Sequence, residues 1–360
     1  MSSNDLWRFD GNKLLWHMDT IHKYYRDKQR VYPIHIDVGA TKLCQARCIY
    51  CYGIYQKMST DVIPRDILLD NLIDSAGDVG IKSMTFTGDG EPTLNPAIYD
   101  GVQIARSHGI DIGFATNGIA LDINKIEILL RNCTWIRFNL SAHDRESYKA
   151  IHGIDAWDKV HRNIMEAVML KSSDPSIKCT IGLQMVLIPD CIPSVIPEAE
   201  LARFWGVDYM VIKQFSDPGC KAMSRFDLRR YDQEETQEIL KMAEELSNER
   251  TKIIAKRKTM SWKGKRPYDR CLDCPLIFQI SGNARCYPCG FLFNNEKYCY
   301  GDLRKNTLKE ILDSDRYWEV IRMMAEEFDV HKDCTGSCRH DMTNQFIWEY
   351  LHPPAHINFI

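Results

Sequence analysis

The sequence predicts an α/β fold built on a parallel β-sheet. β-branched and aromatic segments recur six times with amphipathic, helix-forming segments between them, and the residues best suited to chemistry come directly after the predicted strands. Ligands of parallel sheets bind at the carboxyl ends of the strands, so this distribution also predicts where a site lies. A third observation, 14 cysteines in 360 residues, indicates metal chemistry.

The six predicted strands follow one another between residues 31 and 215. Pro64 and Pro96 suit the first turns of the helices after strands one and two, and Gly77 and Gly109 suit their C-terminal caps. Strand followed by helix, repeated along the chain, is the pattern of a parallel sheet. The strand sequences are VYPIHIDV (31–38), KSMTFT (82–87), DIGFAT (111–116), TWIRFNL (134–140), CTIGLQMVL (179–187) and DYMVIKQF (208–215).

The composition is that of a folded protein. Hydrophobic residues make up 44% and charged residues 26% of the chain, which excludes the disordered and fibrous classes. The net charge of -3 lacks the basic excess that non-specific nucleic-acid binding requires, so nucleic acid is not expected as a partner. No apolar run approaches the roughly 20 residues of a membrane span, and no signal-peptide pattern is present. We therefore expect a cytoplasmic protein without a membrane partner.

The change of pattern along the chain predicts four parts. An N-terminal extension covers residues 1–30, and the strand-helix units form a core over residues 31–214. A linker with one charged helix follows over residues 215–267, and its basic stretch is expected to be solvated, with contact to a phosphorylated substrate as the alternative. Residues 268–360 form a second module that contains half of the cysteines, seven of 14.

The first cysteine group follows strand one with the spacing Cys44-x3-Cys48-x2-Cys51. Three thiolates on such a loop can hold three corners of an iron-sulfur cube and leave the fourth iron open to a ligand. A zinc site with a distant fourth ligand, or reactive loop cysteines, are the alternatives. After strand two comes the turn GDGEP (88–92), where glycines let a ligand approach the backbone and Glu91 offers a carboxylate to a cation.

With these motifs, the sequence resembles the radical S-adenosylmethionine (SAM) superfamily, whose hallmark is a CxxxCxxC loop followed by a GGEP-like turn. The resemblance covers residues 31 to about 214 and implies that family's partial (β/α)6, TIM-like barrel. It also implies a 4Fe-4S cluster held by Cys44, Cys48 and Cys51, with SAM chelated by the open iron. One electron from a donor such as flavodoxin or ferredoxin would then cleave SAM to methionine and a 5'-deoxyadenosyl radical, which removes hydrogen from a substrate carbon.

The same resemblance implies which residues contact SAM. Tyr50 would pack near the adenine, and Gly90 and Glu91 would accept the methionine ammonium, with Asp89 at a position where the family often has Gly or Glu. Family members contact the SAM carboxylate and ribose at later strand ends, although Asn, Ser and Gln there are also common as turn or edge residues. The other cofactor-binding residues predicted at the turn and at the strand ends are Gly88, Pro92, Thr116, Asn117, Asn139, Ser141 and Gln184.

The second cysteine group holds seven cysteines within residues 271–338. Its first four have the spacing C-x2-C-x11-C-x2-C, which also fits a structural zinc ribbon. The segments ISGNARCYPCGFLF and YCYGDL and a late C-x3-C pair resemble the SPASM or Twitch module that follows many radical SAM barrels. The resemblance implies one auxiliary 4Fe-4S cluster, with four ligands and a fifth cysteine as the alternate: Cys271, Cys289, Cys334, Cys338 and, as the alternate, Cys274.

Cys286 and Cys299 are then left over in the second group. Burial as a small hydrophobic side chain is the common fate of such a cysteine. The alternative is a catalytic role for Cys299, which would donate a hydrogen atom to a substrate radical as in radical SAM epimerases.

The predicted reaction is oxidation, epimerisation or rearrangement of a small polar metabolite such as a sugar, aminoglycoside or nucleoside. Only about 30 residues precede the first strand, too few for the leader-binding domain of many peptide-modifying members. The run of motifs also resembles SPASM-type proteins of carbohydrate or secondary-metabolite pathways. Maturation of a ribosomal peptide or protein is the alternative. A third hypothesis is a zinc-stabilised nucleic-acid-binding protein.

Overall fold

The computed structural model describes residues 11–56, 58–216, 226–260, 266–334, 338 and 340–359. Within these residues, ten strands form one sheet. Their bounds are β1 (His35–Gly39), β2 (Ser83–Thr87), β3 (Asp111–Thr116), β4 (Trp135–Asn139), β5 (Thr180–Leu187), β6 (Tyr209–Gln214), β7 (Lys252–Ala255), β8 (Ile277–Ile280), β9 (Arg285–Tyr287) and β10 (Gly301–Asp302). Their order across the sheet is β10-β9-β8-β1-β2-β3-β4-β5-β6-β7.

The first six strands confirm the predicted parallel sheet and its partial (β/α)6 barrel. β1 to β6 lie side by side in chain order, and each pair is parallel. Both faces are buried, as Ile36 and Asp37 on β1 illustrate, because helices cover a parallel sheet on its outer side. The carboxyl ends of the six strands therefore meet at one edge, and the predicted site lies there.

The segment predicted as a linker also contains a strand, β7, which pairs in parallel with β6. The strand was not predicted because Lys252 begins it inside a basic stretch. In the structure, Lys252 is exposed whereas Ile253 and Ala255 are buried, so only alternate side chains face the interior. The helix predicted for the same segment is present as Glu234–Glu245.

The C-terminal module continues the sheet beyond β1. β8 pairs in parallel with β1, and β9 and β10 follow as an antiparallel meander. Because β8 hydrogen-bonds directly to the strand that leads into the first cysteine group, the sheet itself connects the two cysteine groups.

Helices connect the parallel strands and cover the C-terminal module. No helix in the described part of the chain is long and apolar enough to cross a bilayer. The α-helices are α1 (Met18–Tyr25), α2 (Ser75–Asp78), α3 (Ile98–Ser107), α4 (Ile126–Asn132), α5 (Arg145–His152), α6 (Trp157–Ser173), α7 (Val195–Trp205), α8 (Glu234–Glu245), α9 (Arg257–Met260), α10 (Leu308–Asp313), α11 (Asp315–Glu326) and α12 (Asp341–Leu351).

The first connecting helix differs from its prediction. A π-helical segment, Ile67–Asp74, runs directly into α2, and α2 ends at Asp78. Gly77 is therefore inside the helix, and the left-handed residue that follows is Gly80, with a φ of 77°. The predicted cap at Gly77 is wrong because the helix continues for one more residue. Gly109, with a φ of 76°, follows α3 as predicted.

The two ends of the described chain pack together. Ile21 and Tyr25 of α1 form a small hydrophobic cluster with Leu276 and with Ile347 of α12. The Tyr25 hydroxyl also donates to the carbonyl of Leu272. The N-terminal segment thus lies against the C-terminal module, next to the second cysteine group.

Candidate active site

The loop that carries Cys44, Cys48 and Cys51 is held by the end of α5. The amide of Arg47 donates to the carbonyl of His152 at 2.9 Å, and the amide of Ile49 donates to that of Ile151 at 3.0 Å. The last carbonyls of a helix have no partner within it, so the loop uses acceptors that α5 leaves open. All three cysteines are half-buried at the carboxyl end of β1.

N–H groups surround the three sulfur atoms of this loop. Nδ2 of Asn117 donates to Sγ of Cys44 at 3.6 Å, and Nδ1 of His152 lies 3.2 Å from Sγ of Cys48. Backbone amides of Gly53 and Ile54 donate to the Cys51 sulfur. Donors aimed at sulfur stabilise the thiolate form, which is the form that binds metal.

The chemistry of the three cysteine side chains fits a 4Fe-4S cluster. Burial raises the pKa of Cys44 to about 11 and also raises the pKa values of Cys48 and Cys51. Thiolates there need a positive partner at neutral pH, and the iron ions of a cluster are such a partner. Three cysteine ligands leave one iron with an open position.

The GDGEP turn packs directly against the chain that enters the cysteine loop. Gly88 has a φ of 117°, and a Cβ atom there would lie 2.6 Å from Cα of Gly39. A Cβ atom on Gly90 would collide with the carbonyl of Thr41, and the Glu91 amide donates to the carbonyl of Leu43 at 2.7 Å. Only glycine fits such approaches, so the two glycines let the turn and the loop touch.

The carboxylate of Glu91 is held by four donors of the protein. Oε1 accepts from the Thr93 amide, the Thr93 hydroxyl and the Thr116 hydroxyl at 3.2, 2.7 and 2.6 Å, and Oε2 accepts from the Asn117 amide at 2.7 Å. Three of these donors meet at Oε1, and Oε2 has a single donor. Glu91 and Thr116 thus join β3 to the turn, and Pro92 begins the short helix that Glu91 caps. Their predicted contacts with SAM stay predictions.

The carboxylate of Asp89 binds residues of the C-terminal module. Its carboxylate accepts from the Ser281 hydroxyl at 2.7 Å and from the Gly282 amide at 3.0 Å, both in the loop after β8. Nζ of Lys42 lies 3.8 Å away, and both side chains are 5% exposed. The side chain therefore joins the barrel turn to the C-terminal module. The predicted SAM contact of Asp89 stays a prediction.

Tyr50 is held by the residues predicted to bind SAM at the later strand ends. Its hydroxyl accepts from Nδ2 of Asn139 at 2.7 Å and from Oγ of Ser141 at 3.2 Å, and Asn139 in turn accepts from Gln184 at 3.2 Å. Ser141 is completely buried and also accepts from the Val186 amide. Ser141 thus positions Tyr50, and its predicted contact with SAM stays a prediction. Asn139 and Gln184 are half-buried and keep exposed surface.

The second group gathers five of its seven cysteines. Sγ of Cys271 and Sγ of Cys274 are 3.5 Å apart, and electrostatic interactions link Cys289 and Cys338 to both Cys271 and Cys334. The four predicted auxiliary ligands and the alternate ligand therefore lie in one place. Cys338, and then the buried guanidinium of Arg266, lower the pKa of Cys334 to about 6. These thiols fit an iron-sulfur cluster, with one cysteine more than four ligands require.

A buried polar chain leads from this second group into the barrel. Asp273, between two of the cysteines, lies 3.2 Å from Nδ1 of His340, and Nε2 of His340 lies 3.0 Å from Nε2 of Gln279. Gln279 donates to Asp37 at 3.2 Å, and Asp37 contacts His35 at 3.1 Å. Because β8 and β1 are neighbours, these side chains stack across the sheet and fix the position of the second group relative to the barrel.

Cys286 and Cys299 lie outside both groups. Cys286 is fully buried on β9, and Cys299 forms a small apolar cluster with Tyr287 and Phe293. The Cys299 thiol donates to the carbonyl of Gly301 at 3.4 Å. This placement, near the β10 edge of the sheet, favours burial over the proposed hydrogen-atom donation.

Several residues of the site were not predicted from the sequence. His152 contacts a sulfur 104 residues away in the chain, and nothing near it in the sequence signals that contact. Arg266 lies in the stretch that was predicted to be solvated, yet it is buried beside Cys334. The position of Lys42 after strand one could have indicated that it lies near the site. Its partner Asp89 is at the end of the next strand.

Comparison with known families is consistent with this geometry. Residues 39–189 match the radical SAM superfamily, and residues 277–339 match the SPASM family, described as an iron-sulfur cluster-binding domain. The first match contains Cys44, Cys48 and Cys51. The second contains three of the five cysteines that gather, Cys289, Cys334 and Cys338, and begins after Cys271 and Cys274. These two matched families imply 4Fe-4S clusters and SAM as cofactors, as the sequence predicted.

Curated relatives cover part of the chain. GTP 3',8-cyclase of Chlorobaculum tepidum is 26% identical over 197 residues, which are 53% of this chain and 57% of the relative. Probable GTP 3',8-cyclase of Pyrococcus abyssi is 29% identical over 137 residues, 38% of this chain and 44% of the relative. The aligned region thus spans about half the length of these relatives.

Solved structures show the same fold over most of the chain. SuiB of Streptococcus suis bound to SAM has a TM-score of 0.66 at 14% identity and covers 90% of this chain and 77% of that one. Native anSMEcpe with bound SAM has a TM-score of 0.60 at 17% identity, with 89% and 97% covered. At such identities the likeness concerns the fold.

Proposed function

Because this chain belongs to the radical SAM superfamily and carries a C-terminal SPASM module, we propose that it oxidises, epimerises or rearranges a small polar metabolite by radical chemistry. The membership confirms the resemblance found in the sequence. When bound, the open-iron cluster and SAM supply a 5'-deoxyadenosyl radical that removes a hydrogen atom from carbon.

One observation carries this proposal: three cysteine sulfurs with N–H donors lie at the carboxyl end of β1, against the GDGEP turn. In the proposed site, Cys44, Cys48 and Cys51 hold the cluster. Gly90 and Glu91 are proposed to accept the methionine ammonium, as the sequence predicted, and Oε2 of Glu91 has a single donor from the protein.

The other residues predicted to contact SAM differ in how exposed their side chains are. Tyr50, held by two hydrogen bonds, presents its ring as a rigid wall for the adenine. Asn139 and Gln184 keep exposed surface at neighbouring strand ends and are proposed to bind the ribose or carboxylate of SAM. Asn117 supports Cys44 through its side chain. A buried, ordered wall excludes water, which a reactive radical requires.

The curated relatives support a small polar substrate. Their name, GTP 3',8-cyclase, states a nucleotide substrate, and identity reaches 29% over the aligned part of the Pyrococcus abyssi protein. We propose a sugar-, aminoglycoside- or nucleoside-like molecule as the substrate class, and flavodoxin or ferredoxin as the electron donor.

Peptide or protein maturation is the second candidate. It is favoured by the fold likeness to SuiB, solved bound to its precursor peptide, and to anSMEcpe, solved with bound peptides, which extends over 86–89% of this chain. The likeness includes the C-terminal module as well as the barrel. The two candidates differ in what stimulates SAM cleavage.

The experiment combines metal analysis with SAM cleavage. Anaerobically reconstituted protein should contain about eight irons per chain and release 5'-deoxyadenosine when dithionite and SAM are added. The variant Cys44→Ala should retain about half of the iron and lose the product, because the open-iron cluster lacks a ligand. Cys133→Ala, at a buried cysteine of the barrel outside both groups, is the matched control and should behave like the wild type.

Substrate class follows from the same assay. Product formation that rises with nucleotides or sugars, with deuterium transferred from the labelled compound to 5'-deoxyadenosine, supports a small metabolite. Stimulation by peptides alone would support maturation instead. Zinc without iron, and no cleavage after reconstitution, would contradict the radical proposal and return attention to a zinc-stabilised binding protein.

A further inference from the structure

His152 is the last residue of α5 and lies completely buried between two tyrosines. Its ring stacks on that of Tyr148, with the centroids 4.4 Å apart and the planes 26° apart. The Tyr50 ring is nearly perpendicular to it, with the centroids 6.1 Å apart. The stacked Tyr148 ring and a contact at each ring nitrogen fix the orientation of the imidazole.

The hydrogen bonds of His152 determine which ring nitrogen carries the proton. The backbone amide of Ser141 lies 3.1 Å from Nε2, and a backbone amide can only donate. Nε2 must therefore be the acceptor, which places the proton on Nδ1. Nδ1–H then points at Sγ of Cys48, 3.2 Å away.

The backbone keeps this ring at a fixed distance from the cysteine loop. The carbonyl of His152 itself accepts from the Arg47 amide at 2.9 Å, and the neighbouring carbonyl of Ile151 accepts from the Ile49 amide at 3.0 Å. Cys48 lies between those two loop residues. The N–H···S contact is thus set by two main-chain hydrogen bonds and does not depend on a flexible side chain.

We propose that His152 is a positioning residue that donates its Nδ1–H to the Cys48 sulfur and thereby raises the reduction potential of the SAM-binding cluster. The inference rests on the proposed ligation by Cys44, Cys48 and Cys51. Reduction adds negative charge to the cluster and its sulfurs, and a hydrogen-bond donor at sulfur stabilises that charge. Cys48 also has a hydrogen bond from the Tyr50 side chain, and Asn117 donates to Cys44 at 3.6 Å. The His152 ring nitrogen lies 3.2 Å from the Cys48 sulfur.

Two substitutions of His152 each keep one of its two hydrogen bonds and remove the other. In His152→Asn, the amide nitrogen can occupy the place of Nδ1 and keep the donor to Cys48, but the acceptor for Ser141 is lost. In His152→Gln, the amide oxygen can occupy the place of Nε2 and keep that acceptor, but the donor to sulfur is lost. Tyr148→Phe preserves the stacked ring and both hydrogen bonds, and serves as the control.

The measurement is a potentiometric titration of anaerobically reconstituted protein followed by electron paramagnetic resonance. The signal that changes on addition of SAM identifies the open-iron cluster, and iron content is determined for every variant. We expect a more negative midpoint potential for His152→Gln, and values near that of the wild type for His152→Asn and Tyr148→Phe. The auxiliary cluster should titrate unchanged in all of them.

Pulsed magnetic resonance on the wild type provides a test that requires no variant to fold. With 15N-labelled histidine, the reduced SAM-binding cluster should show a weak nitrogen coupling through the N–H···S bond from His152. No coupling, or a shift that is equal in His152→Gln and His152→Asn, would overturn the inference and leave His152 a structural residue. A wild-type protein without the SAM-responsive cluster would instead overturn the proposed function.

Discussion

At the residue scale, the buried carboxyl groups of Glu91 and Glu198 differ in the number of hydrogen-bond donors around them. Glu91 has four donors around its oxygens, which offset part of the cost of burial, and burial still raises its pKa. Glu198 on α7 is also completely buried, and burial raises its pKa well above the usual value, with only the Ala142 amide acting in the opposite direction. Glu198 is therefore expected to remain protonated in the folded protein at neutral pH.

Glu198→Gln should stabilise the protein increasingly as the pH rises. Below about pH 4.5 the carboxyl group is neutral in both folded and unfolded chains, so the wild type and the variant should differ little. Above that pH the unfolded wild type ionises while the folded form stays protonated, which costs about 1.4 kcal/mol per pH unit up to the folded pKa. Thermal midpoints of the reconstituted protein between pH 5.5 and 7.5 measure this growing difference.

Glu200→Gln provides the control for that experiment, because Glu200 is exposed on the same helix. Its midpoints should follow those of the wild type at every pH. Parallel curves for Glu198→Gln and the wild type would mean that Glu198 is ionised in the folded state.

At the scale of elements, the end of α5 and the cysteine loop form one unit. Gly153 follows α5 with a φ of 67°, and a Cβ atom there would lie 2.8 Å from the carbonyl oxygen of Arg47. The helix end thus supplies carbonyl acceptors, the His152 ring and a close backbone approach to the same loop. The cysteine loop has little regular structure of its own, so its shape depends on this helix.

Gly153→Ala should loosen the cysteine loop. The alanine adds left-handed strain of about 1 kcal/mol and also pushes Arg47 away from the helix end. We expect a lower thermal midpoint and a selective loss of iron from the first cluster, measured as iron per chain together with the SAM-responsive resonance signal.

Gly80→Ala is the control that adds left-handed backbone strain without a close contact. Gly80 has a φ of 77°, and a Cβ atom there would meet nothing within 4 Å. This variant should lower the thermal midpoint without reducing iron content. Equal iron loss in both variants would argue against a specific role of the α5 end.

At the scale of the whole molecule, a buried ion pair joins the barrel to the C-terminal module. Lys42 and Asp89 come from the barrel, and Asp89 also binds Ser281 and Gly282 of the module. Nζ of Lys42 donates to Asn294 of the module at 3.1 Å. The GDGEP turn is thus positioned by the cysteine loop on one side and by the module on the other.

Asp89→Asn should destabilise the junction between barrel and module. Removal of the charge leaves Lys42 buried without its carboxylate, and breaking a buried pair in this way costs about 3–5 kcal/mol. The expected result is a lower thermal midpoint and faster proteolysis between the barrel and the module. Lys42→Met in the same chain should recover part of the loss, because the unpaired charge is then absent.

Asp100→Asn removes one partner of the exposed pair with Arg65 and should change little. If Asp89→Asn were equally mild, the Lys42–Asp89 pair would not hold the module in place.

Much of the fold could be predicted because short segments of the sequence determine it. The six parallel strands were visible as short apolar segments between helices, and β7 was missed because only Ile253 and Ala255 of that short, basic strand are buried. The two cysteine groups were visible as spacing. Their roles as ligands remain proposals, as does the set of SAM contacts.

The sequence by itself determined the order of the parallel strands, the two cysteine groups and the family, because periodicity and spacing act over a few residues. Only the tertiary structure decided what each polar side chain binds. Glu91, Asp89 and Ser141 are directed to protein partners, and Asp89 finds its partner 192 residues away. A hydrogen bond depends on the approach of groups to within about 3 Å, and for distant segments that approach exists only after the sheet has assembled.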